Sequence, residues 1–120
     1  MREILFRGKR KENGEWVYGN YAVTDNNEKQ QHFIFQNKAF EFEVDPETVG
    51  QYTGLTDKNG KKIFEGDIVE YINSSPCKID YIDGQFVMMW KNFYRNFERV
   101  YDDQIEVIGN IYDNPELLEV

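Results

Sequence analysis

Histidine and cysteine are nearly missing from this 120-residue chain, which has His32 and Cys77 and no others. A lone cysteine excludes a disulfide within one chain and fits a reducing compartment. One residue of each kind also excludes a zinc site built from the His and Cys of a single chain. Long apolar runs are missing too. Nothing approaches the roughly 18 residues that a membrane helix requires. The apolar stretch in Met1-Arg2-Glu3-Ile4-Leu5-Phe6-Arg7 is too short for a signal peptide, so an intracellular protein is expected. Basic residues are outnumbered, and the net charge of −8 argues against a general nucleic-acid binder, whose phosphate contacts need clustered Lys and Arg. Neither Gly-x-Gly-x-x-Gly nor Gly-x-x-x-x-Gly-Lys-Ser/Thr occurs among the nine glycines, which sets aside mononucleotide loops of those types.

The chain does contain aromatic residues, at 16% of the sequence, and they offset a modest apolar fraction of 40%. Each buried Phe, Tyr or Trp removes about 150 to 250 Å² from water, so one aromatic-rich core is expected at this length. Charge is unevenly placed. Residues 1–11 hold five basic side chains against Glu3, whereas residues 98–120 hold seven acidic ones against Arg99. Exposed ion pairs contribute only about 0 to 1 kcal/mol, so both ends read first as solvated faces.

Turn signals organise the rest. Asn13-Gly14, Asn59-Gly60 and Asp83-Gly84 each lie between apolar or alternating segments and tolerate the positive φ of tight hairpins. The first pair joins a strand within Glu3 to Lys11 to one within Glu15 to Val23, with Trp16 and Tyr18 on one face and Val17 on the other. Residues 25–29 read as an exposed loop. His32-Phe33-Ile34-Phe35 reads as a strand buried on both faces. Phe40, Phe42 and Val44 alternate with Glu41, Glu43 and Asp45, the period of a strand with one wet face. Asp45-Pro46 breaks that strand. Further strands are expected over Thr48 to Tyr52, Asp67 to Ile72, Cys77 to Tyr81, Gln85 to Trp90 and Ile105 to Tyr112. Phe93, Phe97, Val100 and Tyr101 fall at helical spacing after Asn92, predicting a short helix over residues 92–103. Asn114-Pro115 suits a helical turn at the C-terminus. No repeat, low-complexity segment or linker divides the chain, which reads as one domain over residues 1–120.

Candidate chemistry is sparse. Asp57-Lys58-Asn59-Gly60 with Glu65 and Asp67 superficially resembles a calcium loop, but glycine stands at position 4 where an EF-hand needs it at about position 6, and a hairpin turn explains it better. His32 and Cys77 could form a nucleophilic pair only through the fold; a strand histidine and a structural cysteine are the simpler reading. Trp90-Lys91-Asn92-Phe93-Tyr94-Arg95 interleaves rings with cations, a pattern that can stack bases, but the surrounding chain is acidic and burial of Trp90, Phe93 and Phe97 with Lys91 and Arg95 facing water is the preferred reading. No catalytic, cofactor-binding or metal-ligating residue is assigned, no cofactor is expected, and the residues of any partner-binding surface are left unassigned.

The stretch from Thr53 to Val69, Thr-Gly-Leu-Thr-Asp-Lys-Asn-Gly-Lys-Lys-Ile-Phe-Glu-Gly-Asp-Ile-Val, resembles the central signature of the YopX family of phage and prophage proteins. Val107-Ile108-Gly109-Asn110-Ile111-Tyr112-Asp113-Asn114-Pro115-Glu116-Leu117-Leu118 is similar to that family's C-terminal motif. Arg2 to Gly8 and Trp16-Val17-Tyr18-Gly19 are similar as well, while residues 73–104 match no motif. The resemblance implies a phage or prophage origin, a bacterial cytoplasm, and a mainly β fold: a small SH3-like barrel with additional β-hairpins and short helical segments. It implies no particular activity. By elimination the chain reads as a non-enzymatic accessory protein that binds a protein partner or itself, with a nucleic-acid-associated protein as the alternative and an enzyme assembled only in the fold as a third. Specific motifs of this kind can encode a fold and nothing else.

Overall fold

The computed structural model describes residues 4–26, 29–37, 40–72, 74–97 and 102–119. Eleven strands are assigned there: β1 (Phe6–Lys9), β2 (Trp16–Asn26), β3 (Lys29–Asn37), β4 (Phe40–Glu43), β5 (Gly50–Thr56), β6 (Lys62–Phe64), β7 (Asp67–Tyr71), β8 (Cys77–Ile82), β9 (Gln85–Met89), β10 (Tyr94–Asn96) and β11 (Ile105–Asn110). The β1–β2, β1–β5, β2–β3, β3–β4, β7–β8, β7–β11, β8–β9 and β9–β10 pairs are antiparallel. Helical structure comprises short 3-10 turns at Pro46–Thr48, Asp102–Gln104 and Pro115–Leu118. The protein is therefore mainly β. It divides into two compact units, residues 1–52 and residues 53–120, with β5 running across the boundary.

In the first unit the strands lie in the order β4-β3-β2-β1-β5. The Asn13-Gly14 turn joins β1 to β2 as expected, with Gly14 at φ 74°, and the register pairs Phe6 with Gly19 and Lys9 with Trp16. Val17 is buried and Tyr18 exposed, as alternation requires. The loop expected over residues 25–29 is shorter, because Asp25 pairs with Gln30 and Asn26 with Lys29; residues 27–28 lie outside the described residues. Burial of His32 to Phe35 on both faces does not hold. Ile34 is fully covered, while Phe33 and Phe35, on the other face, are only half-buried. On β4 the alternation survives with a fray: Val44 is buried and Phe42 half-buried, but Phe40 is exposed on an edge strand with no neighbour beyond it. Pro46 ends that segment. Asp45 caps the 3-10 turn by accepting from the Glu47 N–H at 3.1 Å, and the Thr48 hydroxyl accepts from the Lys9 N–H at 2.8 Å.

In the second unit the sheet order is β10-β9-β8-β7-β11, and β6 pairs along β5. Asp83 and Gly84 connect β8 to β9 with φ 51° and 81°, the two positive values a type I′ turn demands. The ladder then runs from Ile82–Gln85 to Lys78–Met89. Along β11 the register shifts between Val107 and Gly109, a bulge that leaves Ile108 as the extra residue. No pairing of β10 with β11 closes this sheet among the described residues.

Instead of one aromatic-rich core, two clusters form. Ile63, Val69, Cys77, Ile79, Phe86, Met88, Phe97 and Ile105 are buried in the second unit, against Val17, Ile34 and Val44 in the first. At about 1.5 to 3 kcal/mol for each fully buried large side chain, the second cluster carries most of the apolar stabilisation. Aromatics largely flank these cores. Phe6, Tyr21 and Phe42 are only partly buried around the first cluster, as Tyr71 and Trp90 are around the second. The buried rings among the described residues are Tyr52, Phe64, Phe86 and Phe97.

Candidate functional site

Two regions of the second unit draw together the residues that the sequence singled out. The first is centred on Asp57, whose side chain is 3% exposed. Its Oδ1 accepts from the Asn59 and Lys61 N–H groups, both at 2.9 Å, and its Oδ2 accepts from the Val107 N–H at 2.9 Å. Gly60, at φ 80°, lets the chain turn so that its own N–H reaches the Asp57 carbonyl. Thr53 donates from its hydroxyl to the Ile63 carbonyl, and Asp67 accepts from the Phe64 N–H at 2.8 Å. The Lys58 N–H bonds to the Ile105 carbonyl and the Ile111 N–H to the Gly66 carbonyl. The long motif over Thr53 to Val69 and the C-terminal motif are therefore two halves of one joint. The C-terminal half is knotted in itself. Asn110 Oδ1 accepts from the N–H groups of Tyr112 and Asp113, and Asn114 Oδ1 accepts from the Asn110 N–H instead of capping the turn that follows.

Burial alone would push the Asp57 carboxyl upward. The N–H groups of Val107, Lys61 and Asn59 outweigh it together with the Lys61 charge, and hold the group below its ordinary value of 3.8. A carboxylate so fully occupied is a structural pin. The calcium-loop resemblance is explained by this geometry: the oxygen faces backbone N–H groups, leaving no arrangement for a cation. Among the described residues no three His, Cys, Asp or Glu side chains gather as a metal site would require. Cys77 is fully buried in the core, and burial pushes its thiol up to about 12, far from the thiolate a nucleophile needs. His32 belongs to the first unit, where its Nδ1 lies 2.6 Å from the Tyr21 hydroxyl and the two rings stack at 5.9 Å.

The second region is the segment from Trp90 to Arg95. The short helix expected over residues 92–103 is not formed at its start: Tyr94, Arg95 and Asn96 are strand β10, paired with Met89, Met88 and Val87. Residues 98–101, which include Val100 and Tyr101, lie outside the described residues. Helical spacing misled because Phe93 and Phe97 do opposite things. Phe97 is 2% exposed in the core, whereas Phe93 is 57% exposed. The core reading of the Trp90 to Phe97 rings thus fails at Phe93. The Trp90 N–H donates to the Phe93 carbonyl at 2.9 Å, so the β9–β10 ladder continues to its tip and sets the two side chains side by side. Their rings stack with centroids 4.9 Å apart and planes 11° from parallel. The Trp90 indole N–H is anchored on the Ser75 carbonyl at 3.0 Å. Beside this stack runs an open groove of about 460 Å³, walled by Pro76, Met89 and Leu118 and rimmed by Lys78 and Lys91. Nothing in the sequence distinguished this groove from core. The ring-and-cation interleaving was the only available signal.

Two antiparallel sheets, short 3-10 turns and motif residues tied into one joint define a mainly β protein with no helix long and apolar enough to cross a membrane among the described residues. The chain belongs to the YopX family: the family model described as YopX protein matches residues 5–119. It is similar in fold to the crystal structure of protein EF1440 from Enterococcus faecalis, at 28% identity and a TM-score of 0.61, over 98% of this chain and 99% of that one. No curated protein matches it.

Proposed function

We propose that this chain is a phage- or prophage-encoded accessory protein of the bacterial cytoplasm, a non-enzymatic module that binds another protein through the aromatic groove of its second unit. The observation that carries this reading is the Trp90–Phe93 stack. A phenyl ring 57% exposed, held rigid against an indole that is itself hydrogen-bonded, offers apolar contact area at little entropic cost. Strand β10, whose residues are exposed, is the outermost strand of its sheet among the described residues, and a partner chain can extend it. The non-enzymatic part rests on the occupation of Asp57 and Asp67 by backbone N–H groups and on the buried state of Cys77. We read the second unit as an open relative of the SH3-like small barrel. What supports this is the β7 to β10 meander, the placement of β11 on the free side of β7, and the 3-10 turn before β11.

The reading is tested by capture from phage-infected host cells with the natural chain and with Phe93→Ala side by side, alongside titration with single- and double-stranded nucleic acid across a salt series. A protein retained by the natural chain and released by the variant is the expected result. Submicromolar nucleic-acid binding with a steep salt slope overturns it in favour of a nucleic-acid-associated protein, since a chain of net charge −8 would then be gathering its basic residues on phosphates.

A further inference from the structure

Resting on the protein-binding reading, we propose that the Trp90–Phe93 groove takes an acidic segment of its partner, with a large apolar side chain on the ring stack and carboxylates at Lys78 and Lys91. The charges supply the argument. Although the chain carries a net charge of −8, the charged side chains lining this groove among the described residues are these two lysines. A basic segment would meet two ammonium groups at the rim and, among the described residues, no carboxylate in the lining. Lys78 has Asp80 at 3.7 Å, a long and partly exposed pair that contributes little and yields readily to an incoming carboxylate. Ser75 and Asn92 are the uncharged polar residues of the lining, and the remainder suits a bulky side chain: Pro76, Met89 and Leu118 face the same space as the stacked rings. Apolar area supplies affinity and the lysine rim selects the sign of the partner.

The test is selection of a displayed random-peptide library on the full chain, repeated on Phe93→Ala and on Lys91→Glu, each checked for native unfolding by urea. The expected result is enrichment of peptides that combine Asp or Glu with a bulky apolar residue. Their affinity falls at least about tenfold on Lys91→Glu and is lost on Phe93→Ala. The doubly reversed chain, Lys78→Glu with Lys91→Glu, selects basic peptides instead. Enrichment of neutral or basic peptides on the natural chain, still dependent on Phe93, overturns the acidic partner and leaves the protein-binding reading intact. Absence of any Phe93-dependent enrichment overturns both. So does displacement of the selected peptides at physiological salt by a single-stranded oligonucleotide.

Discussion

Asp57 and Phe93 belong to the same compact unit and stand at opposite extremes of it. The carboxylate is 3% exposed and accepts from three backbone N–H groups, one of them 50 residues away; the phenyl ring is 57% exposed and stacks on Trp90. The joint around Asp57 is made from the residues that give the family its recognisable motifs. The groove beside Phe93 is made mostly from residues 75–93, which carry none, with Leu118 of the C-terminal motif as one wall. A motif can therefore mark where a fold is held together, while most of the surface available to a partner lies in a stretch with no sequence signature.

The sharpest way to break this contrast is Asp57→Ala. It removes a buried, charged acceptor and leaves the N–H groups of Asn59, Lys61 and Val107 to be satisfied elsewhere, at a cost of about 3 to 4 kcal/mol in urea unfolding. A loss under about 1 kcal/mol would show that the joint is not what holds the two motifs. Gly60→Val should cost about 1 to 3 kcal/mol. Open space surrounds the added side chain, so any penalty there comes from the backbone at φ 80° alone. Acid gives a milder version of the first experiment. The Asp57 carboxyl titrates lower folded than unfolded, so its contribution is fully present above about pH 3.8 and disappears as the pH falls through the lower folded value. Because a protonated carboxyl still accepts hydrogen bonds, this loss is smaller than truncation, and it vanishes in Asp57→Asn. Urea midpoints collected against pH for both chains check the sign. Phe93→Ala closes the series with less than about 1 kcal/mol, since most of the ring already faces water.

How legible these regions were in the sequence follows the reach of the interactions. Asn13-Gly14, Asn59-Gly60 and Asp83-Gly84 act through the backbone of adjacent residues, and all three glycines have positive φ. Alternation set Val17 opposite Trp16 and Tyr18, and Val44 on the dry side of its strand, for the same local reason, and both valines are buried. The Asp57 turn reads from sequence as a hairpin and nothing more, because the carboxylate's distant partner, Val107, lies on β11, which reaches the turn through tertiary contacts such as the Lys58 N–H bond to the Ile105 carbonyl. The helix expected after Asn92 failed through competition: Tyr94 to Asn96 gain a ladder with β9, and sheet pairing overrides a spacing that amounted to four apolar residues. Two cores in place of one were equally invisible, because composition counts apolar residues without saying which sheet face receives them.

Amide hydrogen exchange on the natural chain tests the contrast most directly, since it compares the joint and the groove in one sample. The N–H groups of Asn59, Lys61 and Val107, held by Asp57, should exchange only with global unfolding and so share the slowest rates, while the Trp90 N–H, held by the Phe93 carbonyl at the tip of its hairpin, should exchange through local opening on the order of a hundredfold faster. Equal protection at Trp90 and Val107, or faster exchange at Val107, would contradict the account.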